Sequence, residues 1–549
     1  MRESASIHRK PTRIPSAHAW GFKDIGSDSS GPRTLPGLPA SDSAAGPQAA
    51  VGNRRAPLSG SRGLRDDDSG QGRFARYSVA MEALTPEAWR LAAIVAVVVV
   101  LWFTEALPLA VTALLGAAAC VLFGVAPAKE VFRPFADPLI FLFIGSFLLA
   151  EAIRIHRLDR RLAYAVLAVP WVGERPVRVL AGVAVVSALI SAFISNTVTA
   201  AMMTTIVAGI LAAIEEAGSR SGRRPAPTFA TGLMLCIAFA SSIGGLATPI
   251  GTPTNLIGLG FIRKELDATV SFPGWSAITL PIVALMTTIL VAVLARLFPA
   301  GIDRLAGVQE FVRAERAKLG PWTTGQVSTA LAFAITILLW VVPGVALAVL
   351  EPGGTPATLL RDRLPESVAA LVGAILLFVL PGDRGPDGRR RRAVAWHEAR
   401  IDWDIVLLYG GGLALGELCF QKGLATAAGQ AITGWIPQGP GAGTVLVVVA
   451  TVVAIVTSEF TSNVSSATIV VPIVIAIGRA VGADPLPAAL AATLAASLGF
   501  MMPVSSPCNA IVYGSGRIPL RAMMAGGAVL DLIGAVVIVA AMLVASRAW

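Results

Sequence analysis

Two short stretches of this chain carry residues that could do chemistry at membrane depth. They are Ser191-Ala-Phe-Ile-Ser195-Asn196-Thr197-Val-Thr199 and Ser458-Glu-Phe-Thr-Ser462-Asn463-Val464-Ser-Ser, each inside an otherwise apolar run. In each, a Ser four residues before the Ser-Asn pair sets its carbonyl one helical turn away, where a helix end leaves it free. Gly251-Thr252-Pro253-Thr254-Asn255 and Ser505-Ser506-Pro507-Cys508-Asn509 add a proline beside hydroxyls. Proline removes a backbone donor and breaks a helix, which frees carbonyls there. Such neutral oxygens suit a hard cation such as sodium, while hydroxyls, amides and half-helix N-termini suit an anion. A lone Ser-Asn pair reads more often as a helix–helix hydrogen bond. Two pairs, each in a broken span and each followed by a proline-interrupted helix, read as a ligand site.

The elements that must position them follow from composition. Of 549 residues, 55% are hydrophobic and 14% charged, which is not a soluble composition. Apolar blocks of roughly 17–25 residues recur from Leu91 to Ala545, and each must satisfy its own backbone, so each reads as helix. Spans are expected near 90–107, 109–126, 137–153, 177–192, 229–261 (interrupted), 275–299, 326–349, 366–381, 403–420, 484–513 (interrupted) and 522–546. Apolar stretches near 181–215 and 443–478 carry a polar break at the middle, the pattern of a re-entrant hairpin. The fold expected is an all-α polytopic membrane protein, with about 11 transmembrane helices plus two re-entrant hairpins.

The chain is an internal duplication. Pro108-x-x-Val111-x-Ala113-Leu114-x-Gly116-Ala117 recurs from Pro365 to Ala374 at an offset of 257. Gly145 and Glu151 match Gly411 and Glu417 (offset 266), and Ser195-Asn196 matches Ser462-Asn463 (offset 267). Pro249, Pro253 and Asn255 match Pro503, Pro507 and Asn509 (offset 254). Charge gives the relative orientation. Arg154, Arg157, Arg160 and Arg161 follow the Gly145 helix, whereas Lys422 follows its partner; Arg389 to Arg392 and Arg400 precede that partner. Equivalent ends carry opposite basic weight, so the repeats are expected to be inverted, with the basic loops cytoplasmic and the carboxyl end outside. The expected domains are a first repeat at 81–300, a cytoplasmic linker at 301–325 and a second repeat at 326–549.

Residues 1–80 hold 12 Lys/Arg and 7 Asp/Glu, are rich in Ser, Gly and Pro, and read as a disordered tail. They are either a gene-model extension upstream of a start at Met81 or a targeting or regulatory segment, and they lack the apolar core of a signal peptide. The net charge of +10 reflects basic loops and not nucleic-acid binding, since no basic motif with interleaved aromatics is present. Cys120, Cys236, Cys419 and Cys508 lack metal spacing, and His8, His18, His156 and His397 lie outside the apolar spans. No nucleophile–base pair or phosphate loop marks an enzyme. Among acids inside spans, Glu459 adjoins a motif and is a candidate for tuning cation affinity, whereas Glu105, Glu151 and Glu417 read as interfacial.

From Trp102 to the carboxyl end the chain resembles the divalent anion/sodium symporter family of dicarboxylate, citrate and sulfate carriers. The likeness is carried by Leu101-Trp-Phe-Thr-Glu-Ala-Leu-Pro-Leu109, Phe143-Ile-Gly-Ser-Phe-Leu-Leu149 and Ile243-Gly-Gly-Leu-Ala-Thr-Pro-Ile-Gly-Thr-Pro-Thr-Asn255. Tyr409-Gly-Gly-Gly-Leu-Ala-Leu-Gly-Glu417, Met502-Pro-Val-Ser-Ser-Pro-Cys-Asn509 and the two Ser-Asn stretches complete it. The resemblance implies an inner-membrane homodimer in which a scaffold holds an elevator-like transport region. It implies Na+ as coupling ion, with one site at the Ser191 carbonyl, Ser195, Asn196 and Gly251. A second site would comprise the Ser458 carbonyl, Ser462, Asn463 and Ser505. A small divalent anion would lie between them on Asn196, Thr197, Asn463 and the Thr252-Pro253 and Ser506-Pro507 corners. The chain departs from the family pattern at Val464, which lacks the hydroxyl of Thr197, and at Ser505-Ser506, where Ala-Thr is common. A sodium-independent exchanger and a non-transporting anion sensor remain as alternatives, whereas the dicarboxylate-type motifs and the lack of a mid-span Asp pair argue against a carrier of arsenite or a sodium/proton exchanger.

Overall fold

The structure, a computed structural model, describes residues 84–222, 225–350, 354–385, 388–432, 439 and 441–547, all within the unit Asp66–Trp549. The readings made for residues 1–80 and for Met81 lie outside the described residues.

Helices dominate, and proline sets where many begin. α1 (Pro86–Thr104) is followed by α2 (Leu109–Leu122), α3 (Ala128–Phe132), α4 (Pro138–Ile155), α5 (Leu158–Leu167) and α6 (Pro176–Ser191). Then come α7 (Asn196–Ser221), α8 (Pro227–Gly245), α9 (Pro253–Leu266), α10 (Phe272–Leu297) and α11 (Val308–Lys318). The second half has α12 (Thr324–Val349), α13 (Thr355–Arg363), α14 (Glu366–Val379) and a hairpin of β1 (Pro381–Arg384) with β2 (Arg390–Arg392). It continues with α15 (Trp403–Gln421), α16 (Leu424–Ile432), α17 (Ala442–Phe460), α18 (Asn463–Ala480), α19 (Leu486–Ala495), α20 (Pro507–Tyr513) and α21 (Leu520–Ala545). α1, α4, α6, α8, α9 and α20 open on proline, whose missing N–H is one that a first helical turn could not pair anyway.

Among the described residues, ten helices are long and apolar enough to cross a bilayer, and four apolar ones are shorter. Burial sorts them. The α8 window is 89% buried, so α8 is central; that of α12 is 22% buried and presents Val and Leu side chains outward, as lipid requires. The expected span at 177–192 is not separate from the hairpin at 181–215. α6 is the hairpin's first arm and α7 its second, with the tip at residues 192–195. α17 and α18 form the other hairpin, with its tip at 461–462. The interrupted spans are α8 and α9 around the break 246–252, and α19 and α20 around 496–506. The sequence reading passed over the amphipathic α5 and α11, which pack together, and the β-hairpin within the basic loop.

The duplication is visible as reciprocal packing. α4 packs on α14 and α15 packs on α2, each contact pairing a helix of one repeat with one of the other. A β-carbon at Gly145 would sit 2.6 Å from that of Ala370, and one at Gly411 would sit 2.7 Å from that of Ala113. Gly145 matches Gly411 and Ala113 matches Ala370, so this is one contact made twice with the partners exchanged. Small residues allow the close backbone approach in both. Phe143 and Tyr409, matched at the same offset of 266 as the glycines, meet each other with ring centroids 5.4 Å apart. Such exchange is what a pseudo-twofold relation produces. It also crosses the broken elements: α7 packs on α20, and α18 on α9.

Candidate functional site

Each Ser-Asn pair sits at a hairpin tip, with Asn as the first residue of the returning helix. In the first repeat the buried Ser191 Oγ donates to Asn196 Oδ1 at 2.6 Å. In the second the buried Ser458 Oγ lies 2.8 Å from Asn463 Oδ1 and 2.7 Å from the Ala496 carbonyl. The arrangement is the same after 267 residues, which fixes each Asn carboxamide against its own tip.

The interrupted helices bring matching loops to these tips. Asn255 Nδ2 donates to the carbonyls of Gly245 and Thr248, both at 2.9 Å. Asn509 Nδ2 donates to those of Gly499 and Met502, also both at 2.9 Å, and lies 3.0 Å from Ser505 Oγ. Asn255 and Asn509 are fully buried, and among the described residues the Oδ1 of each has no hydrogen-bond partner. Thr248 Oγ1 donates to the Ala192 carbonyl, tying loop to tip.

Glycine makes the approach possible. A β-carbon at Gly245 would sit 2.4 Å from Asn196 Oδ1, and one at Gly251 would sit 2.5 Å from the Gly245 carbonyl and 3.0 Å from that of Ala192. In the second repeat a β-carbon at Gly499 would sit 2.9 Å from Ser458 Oγ and 3.2 Å from the Ser458 carbonyl. Two cradles of hydroxyl, amide and carbonyl oxygens result, the donor set that a hard monovalent cation takes without full neutralisation by acids.

The predicted residues fall around these cradles as follows. Ser191, Asn196 and Gly251 gather in the first cradle with Ser195 as the cap residue of α7; Ser458, Asn463 and Ser505 gather in the second with Ser462 capping α18. Ser462 Oγ accepts from Ser465 N at 3.2 Å. Thr252 and Ser506 are buried cap residues of α9 and α20, and Ser506 Oγ accepts from Asn509 N at 3.2 Å. Pro253 and Pro507 open those helices. Thr197 and Val464 are half-buried on the first turns of α7 and α18. The N-termini of α7, α9 and α18, whose first N–H groups lack helical partners, thus open at the cradles, where an anion is favoured.

Sequence reasoning missed Gly245, Thr248, Ala192, Gly499 and Ala496 as parts of the cradles, and gave Asn255 and Asn509 no role of their own beyond membership of their motifs. The signal was present for the asparagines and glycines: both recur at the offset of 254. Carbonyls such as those of Ala192 and Ala496 leave no mark in side-chain identity.

Glu459, buried beside Ser458, accepts from Met501 N at 2.8 Å and Met502 N at 3.0 Å. It therefore clamps the second hairpin tip to the second loop while bringing a carboxylate beside that cradle.

The chain is 31% identical over 441 residues to the sodium-dependent dicarboxylate transporter SdcS of Staphylococcus aureus (strain bovine RF122 / ET3-1), covering 80% of this chain and 82% of that one. It is 31% identical over 474 residues to the sodium-dependent high-affinity dicarboxylate transporter 3 of Caenorhabditis elegans, covering 81% of each. The crystal structure of the Alcanivorax borkumensis YdaH transporter aligns over 79% of this chain and 90% of its own, at 15% identity and a TM-score of 0.48, a likeness too distant to carry an argument. Residues 80–549 match the family described as the sodium:sulfate symporter transmembrane region, and the chain belongs to that family.

Proposed function

We propose that this protein is a secondary transporter that couples sodium entry to uptake of a small divalent anion of the C4-dicarboxylate class. The observation that carries the reading is the doubled cradle, in which the same Ser-Asn tip meets the same Asn-pinned loop twice. The relatives named as sodium-dependent dicarboxylate transporters support both the ion and the substrate class.

In this reading the Ser191 carbonyl, Ser195, Asn196 and Gly251 hold one sodium ion. The Ser458 carbonyl, Ser462, Asn463 and Ser505 hold another. The anion lies between them on Asn196, Thr197, Thr252, Pro253, Asn463, Ser506 and Pro507. Charge explains the coupling. A divalent anion alone would carry its charge into low dielectric, at a cost of roughly 3 kcal/mol or more per charge by insertion scales. One sodium in each cradle brings the loaded site toward neutrality, so the loaded carrier crosses more readily than the half-loaded one. Nothing covalent happens; the work is binding, movement and release.

The hairpins and interrupted helices move as one elevator-like body against the remaining helices, in a homodimer of repeats 81–300 and 326–549 joined by the linker 301–325. The protein lies in the inner membrane with its N-terminus cytoplasmic and its C-terminus outside, the side assignment that the Arg154–Arg161 and Arg389–Arg400 clusters favour. The test is uptake of labelled succinate, citrate and sulfate into proteoliposomes with an inward sodium gradient, and with choline in its place. Succinate uptake that drops to background in choline supports the proposal. Uptake that persists in choline and needs an internal counter-anion replaces it with the sodium-independent exchanger.

A further inference from the structure

Arg263 closes the half-helix α9, and its guanidinium donates to both carboxylate oxygens of Asp137 at 2.5 Å each. Asp137 is the N-cap of α4 and also accepts from Leu139 N at 2.9 Å and Tyr409 Oη at 3.2 Å. The pair thus ties an interrupted helix of the cradle to the helices outside it. Lys264, the next residue, reaches Glu417 of α15 at 3.4 Å.

The ungapped match of Pro249–Asn255 with Pro503–Asn509, continued along the half-helix, carries Arg263 onto Arg517. α15, the counterpart of α4, opens with Asp402 as its N-cap, one residue out of the glycine register but at the same structural position. The second repeat therefore holds the same two partners: an arginine just past the half-helix and an aspartate capping the matched helix. They are not joined. Arg517 instead reaches Glu215 of α7 at 3.1 Å in an exposed pair, and among the described residues no ion pair involves Asp402 or Asp404.

We propose that Arg263–Asp137 and Arg517–Asp402 are one latch written twice and closed alternately, the first in the conformation described and the second when the cradle faces the other side. The inference rests on the alternating-access reading above. Two matched copies of a fold can exchange conformations, and every contact then recurs with its partners swapped. Contacts already made twice, such as Gly145 on Ala370 and Gly411 on Ala113, stay as they are. A contact made once, with both twin residues present and unjoined in the other copy, is the kind that can open and reform there. Arg263 with Asp137 is such a contact, and its unused twin is in place. An ion pair can open here because the largely buried Asp137 keeps its hydrogen bonds from Leu139 N and Tyr409 Oη when Arg263 leaves, so the open state does not strand a bare carboxylate.

The experiment cross-links cysteine pairs in the full chain, in membrane vesicles, with a short bis-methanethiosulfonate reagent. The pairs are D137C/R263C and D402C/R517C, and single-cysteine variants control for native thiols. Both pairs are expected to cross-link, and in the fourfold variant closing one is expected to block the other at least fivefold. Failure of D402C/R517C to cross-link, in protein that still takes up anion when reduced, overturns the proposal; so does simultaneous closure of both pairs in one molecule. A second measurement uses Asp402→Arg and Arg517→Asp. Each alone is expected to slow uptake at least fivefold and the double variant to recover threefold or more; no recovery overturns the latch. Mutually exclusive cross-links in a protein whose uptake ignores sodium would keep the latch and discard only the coupling.

Discussion

The first cradle is clamped through carbonyls and the second through amides. In the first repeat, Trp275 Nε1 and Thr279 Oγ1 of α10 donate to the carbonyls of Leu246 and Ala247, at 2.9 and 3.2 Å. The matched loop residues are Phe500 and Met501, and there α21 brings Gly527 so close that a β-carbon would sit 2.5 Å from the Phe500 carbonyl carbon. No side-chain donor fits in that gap, and the clamp comes instead from Glu459 on the hairpin, accepting from Met501 and Met502. The position matched to Glu459 in the first repeat is Ala192. The Asn-pinned loop geometry is thus held twice, by different polar groups, and only the second set includes a carboxylate. What the duplication preserved is the cradle; the supports were free to diverge.

The largest effect should come where the halves agree. Asn196→Ala and Asn463→Ala each remove a carboxamide oxygen from a buried cradle; Ser191 Oγ then loses its acceptor, whereas Ser458 Oγ keeps the Ala496 carbonyl. A loss of about 1–3 kcal/mol, the range for a buried group that loses its partner, corresponds to uptake down roughly five- to 150-fold, with Asn196→Ala at the larger end. Initial-rate uptake of the anion at saturating sodium reads this. If one variant kept a third of wild-type uptake while the other kept none, the halves would not be equivalent ion sites.

Glycine separates the halves next. Gly245→Ala pushes a methyl group to 2.4 Å from Asn196 Oδ1, whereas at Gly499 the nearest atom is Ser458 Oγ at 2.9 Å. A loss of tens of fold in sodium-driven uptake is expected at 245 and only a few-fold at 499, since the contacts there, 2.9 to 3.2 Å, are relieved by a smaller shift. Thermal unfolding of both variants checks that the difference lies in binding. Equal losses would mean that the second cradle is as tight as the first.

Charge separates them further. Glu459→Gln keeps the side-chain shape but removes a carboxylate beside Ser458. At an effective dielectric near 20 and a separation of about 6–10 Å, one charge contributes on the order of 1–3 kcal/mol. The sodium concentration for half-maximal uptake should therefore rise at least about fivefold, with anion affinity at saturating sodium changed less. An unchanged sodium dependence would reduce Glu459 to a loop clamp.

Much of this was legible in the residues, and the parts that were not have physical reasons. Offsets of 254 to 267 exposed the duplication because both halves need the same proline breaks and the same Asn side chains. The polar break marks the hairpin at 181–215, yet its first arm also reads as a span of its own, because α6 beyond Arg178 is apolar but for Ser187 as far as Ile190. The carbonyls of Ala192 and Ala496 stayed hidden, since any residue type supplies a carbonyl and only the turn decides where it points. Arg263 and Asp137 lie 126 residues apart with no local pattern, so their pairing was invisible until the helices were packed.

The smallest expected effect concerns the one hydroxyl that the repeats do not share. Thr197 and Val464 occupy matching first-turn positions of α7 and α18, half-buried beside Asn196 and Asn463. A hydroxyl offers an anion one hydrogen bond, worth about 0.5–1.5 kcal/mol net when the partner is otherwise solvated. Thr197→Val should therefore raise the half-saturating anion concentration about three- to tenfold and leave the sodium dependence almost untouched. The reciprocal change, Val464→Thr, adds a hydroxyl nearly isosterically and should tighten the anion two- to threefold, provided that the substrate reaches the second tip. Competition of unlabelled succinate and sulfate against labelled succinate, in both variants, reads the shift and its dependence on substrate size. A shift with Thr197→Val and none with Val464→Thr would place the anion nearer the first cradle, and the apparent symmetry of the site would then belong to its ions alone.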